Sequence, residues 1–296
     1  MKRLTIAALG MLFALMGSAR AADLPTKQEG RVWIYQPLVL AFSPNWSLTS
    51  MPGGRVEFFR SREGKAGFHF LEYFFGPNYT LKTGNFTFKT SLHYYYMGYP
   101  NRGRTVETPP GSGTLACAGT PNCATSYNAS HNIEIIPSIE YRTGKWSFYD
   151  RVILHNTFYA DTYVTSPVTT KSTDDLRWGL GTVLRNLMQV RYAATDRLGI
   201  ILSDEPFFGI IEDGDTRDLK DAKGNPGAGY KPTGYWKRGY RLNRTYVGID
   251  YKVTPSLTVV PMYMVEVMSS PTEGSDVTDI SHNLFMTISY VAKLFE

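Results

Sequence analysis

Ser281-His282-Asn283-Leu284-Phe285-Met286-Thr287-Ile288-Ser289-Tyr290-Val291-Ala292-Lys293-Leu294-Phe295 alternates between two faces. Leu284, Met286, Ile288 and Tyr290 fall on one face, and Ser281, Asn283, Thr287 and Ser289 on the other. Phe285 and Val291 are the exceptions. A side-chain period of 2, with one apolar and one polar face, belongs to a strand that separates two environments.

The start of the chain is consistent with such a strand lying in a membrane. Lys2 and Arg3 precede an apolar run from Leu4 to Met16, and Ala19-Arg20-Ala21 has the small-x-small form of a cleavage site. The apolar run is shorter than the roughly 20 residues a spanning helix needs, so residues 1–21 read as a secretory signal peptide. Residues 22–296 then form the mature protein. Removing Lys2, Arg3 and Arg20 leaves 31 − 3 = 28 basic residues against 26 acidic, a charge of about +2. So small a charge gives no case for a nucleic-acid partner. The 20 Tyr, 16 Phe and 5 Trp fit strands and interfacial aromatic belts. A membrane protein without spanning helices must be a closed barrel, because open sheet edges cannot be satisfied in lipid. Exported chains that end on an aromatic strand are typical of bacterial outer-membrane barrels, although here Glu296 follows Phe295.

Alternation predicts strands over 31–42, 68–81, 86–97, 132–142, 146–159, 176–192, 198–211, 244–253 and 257–268, and then the closing strand. The turns at 82–85, 143–145, 195–196 and 254–256 are short, whereas the connections 98–130, 160–175, 212–239 and 269–279 are long. Short periplasmic turns and long extracellular loops are the expected asymmetry of an outer-membrane barrel. The expected fold is therefore all-β: one antiparallel transmembrane barrel of about ten strands, with twelve as the alternative, since such barrels have even counts. Residues 43–67 are the uncertain stretch, read as an extension of the first strand followed by a loop.

Carried along the strands, the same alternation sorts ionisable residues to the lumen. They are Glu134, Glu140 and Arg142, then Arg151 and His155, then Arg177, Arg185 and Arg191, then Glu205, then Arg244, Asp250 and Lys252, and last Glu266. Two readings of this set stay open. Arg–carboxylate pairs hold a narrow lumen shut, or the same groups line a narrow, mildly anion-preferring pore. Ser203-Asp204-Glu205-Pro206-Phe207-Phe208 interrupts an apolar strand and reads as a strand meeting the membrane surface, with the aromatics as anchors. Cys117 and Cys123, the only cysteines, are expected to form a local disulfide in an oxidising compartment. No metal site and no cofactor are expected.

Enzyme chemistry finds little support. Ser130-His131 and Ser281-His282 are adjacent and so point to opposite faces. Ser91 and His93 share a face but stand about 6.7 Å apart along a strand. The expected partners are outer-membrane lipid, the barrel-assembly machinery through the C-terminal strand, and small solutes.

Leu184–Tyr192, the segment 203–208, the hairpin from Asn243 through Leu257 and the closing His282-Asn283-Leu284 together resemble an uncharacterised family of Gram-negative outer-membrane barrels. The likeness covers roughly the second half of the chain. It implies a barrel in the outer membrane after Sec-type export, and no substrate or catalytic residue. A weaker likeness is to small oligosaccharide porins.

Overall fold

The computed structural model describes residues 27–60, 67–99, 128–161, 163–165, 170–172, 181–211, 239–268 and 279–295. Cys117, Cys123, Arg177, Glu296 and the leader 1–21 lie outside them.

Strand formation follows the alternation. β1 (Lys27–Tyr35) and β2 (Leu38–Ala41) are followed by β3 (Trp46–Arg60), β4 (Gly67–Thr83) and β5 (Phe86–Tyr99). β6 (Asn128–Thr143) and β7 (Trp146–Asp161) come next, then the small separate pair β8 (Tyr163–Thr165) and β9 (Thr170–Ser172). β10 (Gly181–Ala193), β11 (Leu198–Ile211), β12 (Gly239–Lys252), β13 (Leu257–Met268) and β14 (Asp279–Lys293) complete the chain. Gly84 and Gly144 hold positive φ, 54° and 57°, as the first residues of two-residue hairpins. Such hairpins match the right-handed twist of the strands they join only with φ > 0, which glycine adopts without cost.

Twelve strand segments form one sheet that closes on itself, because β14 pairs with β1 and β2, and both of these also pair with β3. β1 and β2 are successive parts of one stave, interrupted at Gln36-Pro37. Counted that way, the barrel has eleven staves. Bonding continues across the break: Gln36 N donates to Pro52 O at 3.0 Å, and Tyr290 N donates to Pro37 O at 2.9 Å.

The count corrects the expectation of ten or twelve strands. Residues 46–60 form a stave of their own, pairing Trp33 with Arg55 on one side and Phe74 with Met51 on the other. An even count follows only if every neighbouring pair is antiparallel. Here the seam is parallel, with Val32 beside Leu284 and Val39 beside Val291. One parallel pair closes an odd barrel, and the other neighbours within the barrel remain antiparallel.

The two ends of the barrel differ. The turns 42–45, 84–85, 144–145, 194–197 and 253–256 gather at one end. The strand ends leading into 61–66, 100–127, 162–180, 212–238 and 269–278 gather at the other. Five register shifts, at Gly30/Arg31, Arg55/Val56, His131/Asn132, Thr182/Val183 and Phe207/Phe208, all fall near this second end. Bulges concentrate at barrel rims because they re-aim or end the pairing there.

Ten of the eleven staves carry at least one large hydrophobic residue exposed on the outside, among them Ile34, Phe75, Phe88, Ile135, Val247 and Leu284. Aromatic pairs ring the short-turn end: Trp46 with Tyr79 at 5.0 Å, Phe86 with Tyr141 at 4.8 Å and Trp146 with Tyr192 at 4.9 Å between centroids. The inner face carries the buried residues, charged ones included.

Candidate functional site: the interior septum and the vestibule

The interior is crossed by side chains from opposite walls. Trp33, Tyr35, Phe74, Tyr95, Met97, Leu187, Tyr246 and Met264 form one buried cluster, contributed by six staves. Phe74 and Tyr95 stack at 4.0 Å, and the Arg55 guanidinium lies 3.6 Å over the Trp33 ring. The cluster is a septum, because its members meet across the lumen rather than lining a clear path.

An ionic chain runs through and beside the septum. His155 Nδ1 lies 2.9 Å from Glu134 Oε1, and Arg185 Nη1 is 3.7 Å from the same oxygen. Arg185 also donates to Glu205 at 2.9 Å, and Arg151 donates to the same Glu205 oxygen at 3.2 Å. The second Glu205 oxygen accepts from the Tyr246 hydroxyl at 2.7 Å and lies 4.0 Å from Arg244. Arg244 in turn donates to Glu266 at 2.7 Å, and Arg31 donates to Glu266 at 3.3 Å. Signs thus alternate from Glu134 through Arg185, Glu205, Arg244 and Glu266 to Arg31, across β6, β10, β11, β12, β13 and β1. A separate hub on β4, Glu72, accepts from Arg55 at 3.0 Å and from the hydroxyls of Tyr35 and Tyr95.

This arrangement is local in origin. Strand alternation puts each ionisable group on the inner face, and antiparallel register sets Glu134 beside His155, Glu205 beside Arg244 and Arg244 beside Glu266. Glu205 is 0% and Glu134 1% exposed, so each needs its cationic partners to remain ionised away from water.

Toward the short turns the lumen opens into a vestibule of about 370 Å³. Arg191 clasps Asp250 through both carboxylate oxygens, at 2.6 and 2.8 Å. Glu140 accepts from Arg142 at 2.8 Å and from Ser147 at 2.5 Å. Lys145 and Lys252 share the wall, giving four basic groups against two carboxylates. A Cβ at Gly199 would collide with both Arg191 and Asp250, so only glycine leaves room for their clasp.

Of the sequence-derived lumen residues, the structure gathers Glu134, Arg151, His155, Arg185, Glu205, Arg244 and Glu266 in the upper network. It places Glu140, Arg142, Arg191, Asp250 and Lys252 around the vestibule. Sequence reasoning missed Arg31, Arg55, Glu72 and Tyr246. Glu72 carried a signal, a lone charge within the aromatic run Phe68–Leu81, whereas Arg55 was hidden in the stretch read as loop. Of the two aromatics in the segment 203–208, Phe207 is buried in the interior and Phe208 is exposed outside. The segment lies within β11, with Glu205 and Phe207 turned inward and Asp204 turned outward. Ser91 Oγ, at 2.7 Å, and His93 Nε2, at 3.1 Å, both engage Asn78 Oδ1, so this serine is not activated by that histidine.

The fold and its two faces define a closed, mostly antiparallel β-barrel with paired charges inside. No family model matches the chain, so the resemblance over its second half stays a likeness, and no curated protein matches it. Among solved structures it is similar to the copper transporter OprC, at 11% identity and a TM-score of 0.27, over 81% of this chain and 47% of that one. The chain thus spans about half the length of that protein, and so shallow an overlap does not bear on what it does.

Proposed function

We propose that the protein is an outer-membrane β-barrel, exported with loss of residues 1–21, whose lumen is closed at rest by the septum. One observation carries this reading: the faces are inverted relative to a soluble barrel, apolar outside and charged inside. Lipid chains are the natural solvent for such an outer face, and only a closed barrel satisfies its backbone there. The closing strand β14 is the element the assembly machinery would read. With the lumen filled, surface work falls to the long connections.

A second reading is favoured by the vestibule, where basic groups outnumber carboxylates. In it the protein is a narrow porin-like channel for small polar or anionic solutes, conducting only when the septum shifts. Catalysis has no place in either reading. Planar-bilayer recording of the refolded protein tests the choice. The closed reading expects no steady conductance from the wild type and openings once Glu205→Ala breaks the ionic chain. Steady anion-selective steps in the wild type would overturn it in favour of the channel. Recovery of the protein in the soluble fraction, away from the cell envelope, would remove both.

A further inference from the structure

On the inner face, between the septum and the vestibule, one cation is left without an acid. Lys89 on β5, Ser138 on β6 and Arg151 on β7 are register partners in one row across three adjacent strands. All three turn inward. Phe88 and Thr90, the neighbours of Lys89, are exposed outside, and Arg151 reaches across to Glu205. The row borders the septum on one side, where Arg151 has Leu187 as its register partner on β10. It borders the vestibule on the other, where Glu140 lies two residues beyond Ser138, about 6.7 Å along the strand.

The ion pairs nearby do not reach Lys89. Among the described residues, the inward carboxylates on the short-turn side of the septum are Glu140 and Asp250, and Arg142 and Arg191 hold them. The charge that bears on half-buried Lys89 is Arg151, of like sign. Arg151 engages Glu205 through Nη2 and keeps 29% of its side chain exposed. Among the described residues, the Lys89 ammonium and Arg151 Nη1 have no hydrogen-bond partner, and neither is sealed from the lumen. Two like charges facing open lumen with no acid between them raise the local concentration of anions.

We infer that the row Lys89, Ser138 and Arg151 is a binding site for a tetrahedral oxyanion, phosphate or the phosphate end of a phosphomonoester, which enters through the vestibule. Strand spacing sets the Cα atoms of Lys89 and Arg151 roughly 10 Å apart. Side chains of their length close on one anion from both sides, with the Ser138 hydroxyl between them. That hydroxyl donates to the Lys89 carbonyl at a long 3.4 Å, a bond it can exchange for an oxyanion. An arginine and a lysine donating from separate directions suit several oxygens better than one spherical halide. The inference deepens the channel reading by naming its solute, and rests on that reading only for passage beyond the septum.

The test titrates the full-length protein, refolded in detergent micelles, with inorganic phosphate and separately with glycerol phosphate, followed by calorimetry. One site per chain is expected. Tighter binding of glycerol phosphate assigns the site to an ester, and tighter binding of phosphate to the free anion. Lys89→Met keeps the length and loses the charge, and is expected to weaken binding at least about tenfold. Lys89→Arg is expected to stay within about threefold of the wild type, and so is Lys145→Met at the vestibule wall. The inference is overturned if the folded wild type does not bind phosphate, or if Lys89→Met binds it as the wild type does. It is equally overturned if Lys145→Met costs as much as Lys89→Met, since the anion would then answer only the general charge of the mouth. Displacement of phosphate by an equal concentration of chloride would overturn the oxyanion class. Binding without bilayer conductance would leave the inference standing and remove the channel reading.

Discussion

Arg185–Glu205 and Arg142–Glu140 are the same chemical pair at nearly the same length, 2.9 and 2.8 Å, yet they live in different media. The first carboxylate is 1% exposed and is shared by three guanidinium groups and a tyrosine. The second pair sits at the vestibule rim with Arg142 68% exposed. Distance alone therefore says little about what an ion pair contributes. Burial decides, because removing one member of a buried network leaves charges that nothing else can solvate. At the rim, water replaces the missing partner.

Unfolding by urea in lipid vesicles would set these two regions against each other. Glu205→Ala is expected to cost about 3–5 kcal/mol, since Arg151, Arg185 and Arg244 together lose their shared carboxylate. A loss below about 1 kcal/mol would mean that the network is hydrated and the contrast false. Tyr246→Phe removes one hydrogen bond to the same carboxylate while leaving the arginines in place, and is expected to cost about 1–2 kcal/mol. At the rim, Arg142→Ala is expected to stay within about 0.5 kcal/mol of the wild type, with Ser147 still holding Glu140. If Arg142→Ala matched Glu205→Ala, the vestibule would have to be as dry as the septum.

Much of this was legible in the chain, but unevenly. The hairpins at 84–85 and 144–145 announced themselves, because a glycine and a polar residue sit between two alternating runs. The facing of Glu134, His155, Arg185, Glu205 and Arg244 followed from period 2 alone. Their partners did not, because an ionic contact such as Arg31–Glu266 joins residues 235 positions apart across the seam. The stave 46–60 was illegible for a physical reason. Met51-Pro52-Gly53-Gly54 reads as a turn, yet Gly53 is the inward position facing Tyr35, whose ring a Cβ there would strike. The strand becomes recognisable only once its neighbour is in place. Asp204-Glu205 shows a related limit: the pair broke the alternation because one acid completes the interior network while the next faces outward.

The parallel seam has a topological consequence. Eleven staves are an odd number, so the first and the last run the same way and Lys27 and Phe295 lie at opposite ends of the barrel. If the short turns face the periplasm, Phe295 does as well, whereas Lys27 emerges among the long connections at the cell surface. The seam joins β1 to β14, strands separated by almost the whole chain. Its hydrogen bonds span the longest stretch of sequence of any neighbouring pair in the barrel, so closure waits on both ends of the described chain.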